Sequence, residues 1–323
     1  MIAASPPDII SMMNLDRALG ALLGLAVGDA LGTTLEFTKR DQHPPVTAIV
    51  GGGPFRLKPG QWTDDTSMAL ALGASLLEHG RLDRKDLLDR FVDWWQEGDN
   101  SCTGECFDIG NTVKAALSYY RNTGRTDAGS TAPDTAGNGS IMRLAPAVLY
   151  GLRSLRTTVS TAREQSLVTH AAPACLDACE AMARIMRSLI LRDWDEPARY
   201  TLDGWSPGDA GVAAAVDGSR FSQSRDNVAS TGFVTATLDA ALWSVANTAS
   251  FEEALILAVN LGGDADTVGA VAGQIAGAAY GMSGIPPRWL EVLAWRAHIE
   301  DMGRRLVLMA PAERGVMARL LRR

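Results

Sequence analysis

Two clusters of carboxylates and hydroxyls stand near opposite ends of this 323-residue chain: Thr63-Asp64-Asp65-Thr66 early, and Gly262-Gly263-Asp264-Ala265-Asp266-Thr267 late. Each sits at the start of a helix-like segment. Four carboxylates brought close together repel strongly unless cations lie between them. Oxygen donors without histidine or cysteine suit hard ions, magnesium or manganese, and this number of donors can hold two. The chemistry suggested is a binuclear, all-oxygen metal site made by folding the two ends of the chain together.

Helical geometry sets a condition on that site. Residues i and i+3 share a face of a helix and i and i+2 do not, so Asp264 can point with Thr267 while Asp266 points elsewhere. A turn at Gly262-Gly263 that leaves Asp264 just outside the helix lets Asp264 and Asp266 converge on one cation. In the first cluster Thr63 or Asp64 can act as the N-cap. Simple capping is the bland alternative, because Asp and Thr are common at helix starts and favour the dipole. It accounts for one cluster but not for two doubled ones.

The elements that must position these groups read as helices. Met68, Leu72 and Leu76 recur at i, i+4, i+8, and Leu87, Phe91 and Trp94 at i, i+4, i+7. Further helical segments are predicted at about 15–31, 110–121, 173–191, 233–247, 251–260, 266–281 and 287–309. Val46 to Val50 is either one short strand or an extended loop. The fold class expected is all-α. Gly20 to Gly32 (GALLGLAVGDALG) and Gly269 to Gly281 (GAVAGQIAGAAYG) carry small residues at three- and four-residue spacing, as in a tightly packed central helix pair. The loop from Asn122 to Gly139 is rich in Gly, Thr, Ser and Asp and runs through Gly137-Asn138-Gly139-Ser140 into an apolar helix. Backbone N–H groups there can meet an anion.

Composition narrows the function classes. A net charge of -7 gives no electrostatic reason to expect nucleic-acid binding. The apolar run Ala21 to Val27 is broken by Asp29 and is too short to span a bilayer, and Met1 to Asn14 lacks a basic leader. No membrane association and a cytoplasmic location are expected. Residues 1–14 are expected to be a flexible segment ahead of one domain over 15–323. Cys102/Cys106 and Cys175/Cys179 share the spacing C-x3-C without supporting histidines, so reduced thiols are expected rather than a zinc site or a disulfide. Arg304 to Arg323 is basic and amphipathic, as in a solvated surface helix.

Six motifs in order resemble the ADP-ribosylglycohydrolases, in particular the bacterial dinitrogenase reductase-activating type. They are Gly24-Leu25-Ala26-Val27-Gly28-Asp29-Ala30-Leu31-Gly32 with Glu36; Leu57-Lys58-Pro59-Gly60-Gln61 leading into the first acidic cluster; Phe107-Asp108-Ile109-Gly110-Asn111-Thr112; Gly137-Asn138-Gly139-Ser140 with Met142-Arg143; Thr169-His170; and the second acidic cluster. The resemblance runs from about Arg17 to Trp289. It implies a compact single-domain orthogonal helical bundle with a magnesium or manganese pair at the base of a cleft. Thr63, Asp64 and Asp65 would hold metal from one side and Asp264, Asp266 and Thr267 from the other. Asp108 and Glu36 would be the catalytic carboxylates. Gly137, Asn138, Gly139 and Ser140 would hold a diphosphate by backbone N–H groups, with Met142 beside them, His170 near the phosphate or distal ribose, and Phe233 near adenine.

The activity so implied is hydrolysis of the bond between ribose C1 and a modified protein side chain, releasing ADP-ribose, with arginine the expected attachment. Serine- or nucleotide-linked ADP-ribose and an inactive ADP-ribose-binding module are the alternatives. A metal-dependent phosphatase would suit paired metals but has no use for the Gly137–Arg143 and Asp108 motifs. The partners expected are a mono-ADP-ribosylated protein and ADP-ribose, with the enzyme a monomer.

Overall fold

Small residues at every fourth position let two helices meet backbone to backbone, and the fold is organised by one such meeting. The computed structural model describes residues 11–191 and 200–311, and these hold thirteen α-helices and no sheet. In chain order they are α1 (Met12–Gly32), α2 (Asp64–His79), α3 (Arg84–Glu97), α4 (Asn111–Thr123), α5 (Ala145–Gly151), α6 (Leu155–Leu167) and α7 (Pro173–Leu191). After them come α8 (Ala210–Val216), α9 (Val234–Ala246), α10 (Phe251–Val259), α11 (Ala265–Tyr280), α12 (Pro287–Val292) and α13 (Arg296–Met309).

α1 and α11 run antiparallel at the centre. Gly20 faces Gly277, Gly24 faces Gly273, Gly28 faces Gly269, and Gly32 faces Ala265. A Cβ added at any of the four α1 glycines would overlap the partner helix's backbone at these points. Both helices are apolar on nearly every side, the pattern of a helix enclosed by others. α7, α9 and α10 pack on α11, while α13 and α2 pack on α1. By length and hydropathy alone Asn14–Leu35 is long enough to cross a bilayer, yet it is buried here inside protein.

Local side-chain caps start five of the helices. Ser11, Asp83, Ser154, Asp209 and Ser250 each accept a backbone N–H of the helix they precede. Gly80, Gly98 and Gly124 end α2, α3 and α4 in left-handed conformations. The two acid-bearing helices, α2 and α11, receive no cap from the side chain that precedes them.

The predicted elements and the structure differ in three places, and Val46 to Val50 takes the second of its two readings. α1 begins at Met12, capped by Ser11, so the expected flexible segment 1–14 loses its last residues to the helix, and 1–10 lie outside the described residues. Val46 to Val50 is an extended loop. Helices α6 and α8 were not predicted; α6 (LRTTVSTAREQSL) is too polar to show a clear apolar face. The segment 287–309 is two helices, because Gly60 O accepts from Ala294 N at 2.9 Å and Trp62 Nε1 donates to Ala294 O at 3.2 Å. Trp295 is left-handed at that break, and Trp62 itself is packed in the core. The expected basic surface helix over 304–323 is seen only to Met309 within α13, and 312–323 lie outside the described residues.

The central contact has no room for a side chain. Gly28→Val is expected to destabilise the protein by about 3 kcal/mol or more, since both facing atoms are backbone. A thermal melt followed by circular dichroism checks this, and an unchanged melting temperature would mean the two helices are not in backbone contact.

Candidate active site

The chain ends α1 at the point where two other helices begin. Asp29, fully buried in the last turns of α1, accepts Thr63 N at 2.8 Å and Thr63 Oγ1 at 2.9 Å through one oxygen. Through the other it accepts Thr66 N at 3.0 Å and Thr66 Oγ1 at 2.6 Å. Thr66 N is the donor that an N-cap side chain normally satisfies, so Asp29 caps α2 from across the fold. Glu36, four residues past the end of α1, does the same for α11: its Oε2 accepts Ala265 N at 2.8 Å and Asp266 N at 3.4 Å. Gly262 and Gly263 are both left-handed, with φ of 68° and 67°, and Gly263 pairs with the segment after Glu36 through Phe37 N→Gly263 O at 2.8 Å and Gly263 N→Thr38 O at 2.7 Å. That turn places Asp264 just outside α11, as the i, i+2 spacing required.

The two acidic clusters therefore meet. Thr63 Oγ1 lies 3.3 Å from Asp266 Oδ2, and Thr267 Oγ1 lies 3.4 Å from Asp65 Oδ2. Oxygens of Glu36, Asp264 and Asp266 all lie within 4.8 Å of one another. Glu36, expected only as a catalytic group, thus sits among the candidate metal donors. Asp65 is fully buried, and its Oδ1 has no hydrogen-bond partner. An orphaned buried carboxylate oxygen facing further carboxylates fits a set of hard donors that a divalent cation would complete.

Electrostatics point the same way. Burial, then the Asp266 charge, pushes Asp29 up to about 7 despite its four hydrogen bonds. The same two causes push Asp264 up to about 7 and Asp108 up to about 8. Glu36, Asp64 and Asp65 are raised as well, burial being the largest cause in each. Without a cation the cluster must hold protons, because desolvation exceeds what its hydrogen bonds return.

Above the cluster opens a cleft of about 740 Å³, a size suited to a dinucleotide-like ligand. The cleft is lined by Glu36, Asp64, Asp264 and Thr267 of the acidic cluster, by Asp108 through Val113, by Gly137, Asn138, Gly139, Met142 and His170, and by Ser230 to Gly232. Asp108 is left-handed at φ 59° and partly buried, held over the cluster near Asp266. Phe107 beside it stacks on Phe55, centroids 5.1 Å apart, and Phe55 meets Phe37 edge-on at 6.3 Å. These rings link the Glu36 and Asp108 loops.

Within the glycine-rich loop, Gly137 N and Asn138 N are committed to Thr135 O and Gly232 O. Asn138 Nδ2 donates to Asp264 Oδ2 at 2.7 Å and Thr237 Oγ1 at 2.9 Å, so Asn138 steadies a cluster carboxylate. Gly139 N has no partner among the described residues and Gly139 lines the cleft, which leaves that N–H for an anion, whereas Ser140, expected beside it, is fully buried and does not line the cleft. The Ser140 hydroxyl is buried and accepts from Cys179 Sγ at 3.4 Å. Phe233 is 41% exposed at the start of α9 and does not line the cleft; its backbone pairs with Gly137.

Sequence reasoning missed the groups that hold these residues from behind. Gln274 accepts Ala145 N and donates to Ile141 O and Met142 O, and Gln165 donates to Ser140 O. Cys175 and Cys179, one turn apart on α7, are free thiols touching Gly137 O and Ser140 Oγ. Cys102 and Cys106 are also free. Asp29 had a visible signal, an acid inside an otherwise apolar, small-residue helix.

With this geometry in place, comparison with known proteins is decisive. The family model for ADP-ribosylglycohydrolase matches residues 11–315. The chain belongs to that family. An ADP-ribosylarginine hydrolase Tri1 of Serratia proteamaculans (strain 568) is 45% identical over 314 residues, 96% of this chain and 84% of its own length. An ADP-ribosyl-[dinitrogen reductase] glycohydrolase of Rhodospirillum rubrum is 37% identical over 88% of this chain and 92% of its own. A solved structure described as an ADP-ribosylglycohydrolase-related protein complex superposes with a TM-score of 0.81 at 42% identity, covering 93% of this chain and all of that one. The protein is thus an enzyme of the glycohydrolase class, and the all-α fold is that of its family.

The raised carboxyl groups fix the sign of a pH effect. Asp29, Asp108 and Asp264 bind protons in the folded chain at pH values where the unfolded chain has released them, so stability falls as pH rises from about 4 toward about 8. Chelator-treated protein is expected to melt lower at pH 8 than at pH 5.5. A melting temperature that rises across that interval would contradict the described cluster.

Proposed function

We propose that this enzyme hydrolyses the bond between ribose C1 of ADP-ribose and an arginine side chain of a modified protein, using two divalent cations, magnesium or manganese. The observation that carries it is the buried carboxylate cluster at the base of a cleft with an anion-accepting loop opposite. The 45% identity to an arginine hydrolase over nearly the whole chain supports the linkage. Thr63, Asp64, Asp65, Glu36, Asp264, Asp266 and Thr267 would hold the ions. Bound there, divalent cations would supply charge compensation and Lewis acidity toward oxygen atoms of ribose and water.

The chain's own groups account for the rest. Gly139 N donates to the diphosphate, which sets the ribose above the acidic base. Bond breaking gives C1 oxocarbenium character, and the carboxylates around it favour that positive charge. Asp108 stands at the cleft wall close to Asp266, so it is the group we assign to proton transfer at the leaving nitrogen or a ribose hydroxyl. Glu36 has one oxygen committed to capping α11, and its remaining oxygen is available to the ions or to water. Overall, water oxygen bonds to C1, the C1–N bond breaks, and the arginine nitrogen regains a proton. The free thiols agree with a reducing compartment, and we place the enzyme in the cytoplasm, acting as a monomer.

Protein carrying mono-ADP-ribose on arginine, and separately on serine, tests this directly. Metal-dependent release of intact ADP-ribose from the arginine conjugate is expected, and none in chelator. Asp65→Asn and Asp266→Asn should each lower turnover by about 100-fold or more with helicity intact. Full activity in chelator, or release from serine alone, would refute the assignment.

A further inference from the structure

Arg143 is fully buried and has no carboxylate within hydrogen-bonding reach among the described residues. Its Nε donates to Gln165 Oε1 at 3.0 Å, its Nη2 donates to Gln165 O at 2.9 Å, its Nη1 touches Met68 Sδ at 3.7 Å, and its plane lies 4.6 Å over the Phe91 ring. The remaining contact leads toward the cleft: Nη2 donates to Thr169 Oγ1 at 2.8 Å, and Thr169 Oγ1 lies 2.9 Å from His170 Nδ1. Thr169 is fully buried and His170 nearly so.

These contacts determine where the protons are. A guanidinium only donates, so it uses the acceptor capacity of Thr169 Oγ1 and leaves that hydroxyl's single hydrogen to be placed. Its neighbour is His170 Nδ1. If Nδ1 bore a proton, both lone pairs of Thr169 Oγ1 would be taken by donors and its own hydrogen would be buried without an acceptor. Nδ1 must therefore accept, and a neutral ring then carries its proton on Nε2. That edge of the ring lies beneath the glycine loop: a Cβ added at Gly139 would fall 3.1 Å from Nε2 and 2.7 Å from Cε1, and one at Gly137 3.3 Å from Nε2. Both glycines and His170 line the cleft.

We propose that Arg143 and Thr169 are positioning residues that lock His170 as the neutral, Nε2-protonated tautomer, so that it donates a hydrogen bond to an oxygen of the diphosphate-ribose lying against Gly139. This rests on the cleft being an ADP-ribose site. Burial and the Arg143 charge together hold the imidazole down to about 3, so it does not become a cation at working pH. The other titratable groups bearing on this corner are the Cys175 and Cys179 thiols, both raised by burial, and Asp64, whose charge acts on Arg143. The ligand's negative charge is thus met by a neutral donor, with the fixed positive charge of Arg143 one hydroxyl further back.

The test is nitrogen NMR of protein labelled at its four histidines, with His170 assigned by loss of its signals in His170→Gln. In the ligand-free enzyme His170 is expected to show the Nε2–H pattern unchanged from pH 5.5 to 8. Thr169→Val should lose that pattern and weaken ADP-ribose binding by about tenfold, while Thr169→Ser keeps both. An Nδ1–H or imidazolium pattern in the wild type would overturn the proposal. So would a Thr169→Val enzyme with wild-type tautomer and affinity. Wild-type protein that shows the tautomer but binds no ADP-ribose would instead remove the reading of the cleft, so the two failures are distinguishable.

Discussion

Helix starts need acceptors and metal ligands need free oxygens, and one carboxylate oxygen cannot serve both fully. The structure resolves that conflict by supplying the caps from a third helix. Asp29 satisfies the first turn of α2 and Glu36 most of that of α11, so Asp64 and Asp65 are released from capping and Asp266 gives up only Oδ1, to Thr267 N at 2.8 Å. A Ser or Asp cap placed locally, as at α3, α6 or α10, would have used up the very groups the cleft requires. The arrangement leaves a dense set of buried acids whose mutual repulsion only protons or cations relieve, which ties stability, pH response and cation binding to the same few residues.

That division of labour depends on how closely α1 approaches α11. Glycines at every fourth position allow backbone contact, so the end of α1 stops within carboxylate reach of both acidic helix starts. With larger residues the helices would separate by the width of a side chain, and the 2.8 Å bonds from Asp29 and Glu36 would be lost. The small-residue pattern is therefore scaffold in the direct sense: it sets the distance at which the caps can be exchanged.

What was legible in the sequence was what is local. Thr63-Asp64-Asp65 and Asp264-Asp266-Thr267 declare helix starts by their own order, Gly262-Gly263 declares the turn, and the glycine stretches declare the central pair. What was hidden depends on distance in the chain. A cap thirty-odd residues away has no local signature, so the role of Asp29 was invisible although the residue itself stood out. The break between α12 and α13 is set by hydrogen bonds from Gly60 and Trp62, which no helical periodicity over 287–309 could reveal. Helix α6 was lost because its Thr- and Ser-rich face packs through small buried groups rather than a bold apolar stripe. Phe233, expected near adenine, is partly exposed, and its backbone pairs with Gly137 of the cleft.

The central claim is that Asp29 prepares the proposed ion site by holding α2 rather than by serving as a ligand. Its most direct test is the manganese-binding isotherm of Asp29→Asn beside that of the wild type, read by electron paramagnetic resonance of free manganese. Two ions bound by the wild type, and affinity weakened about tenfold or more in the variant with its helicity retained, is the predicted result. Unchanged manganese binding in Asp29→Asn would contradict it.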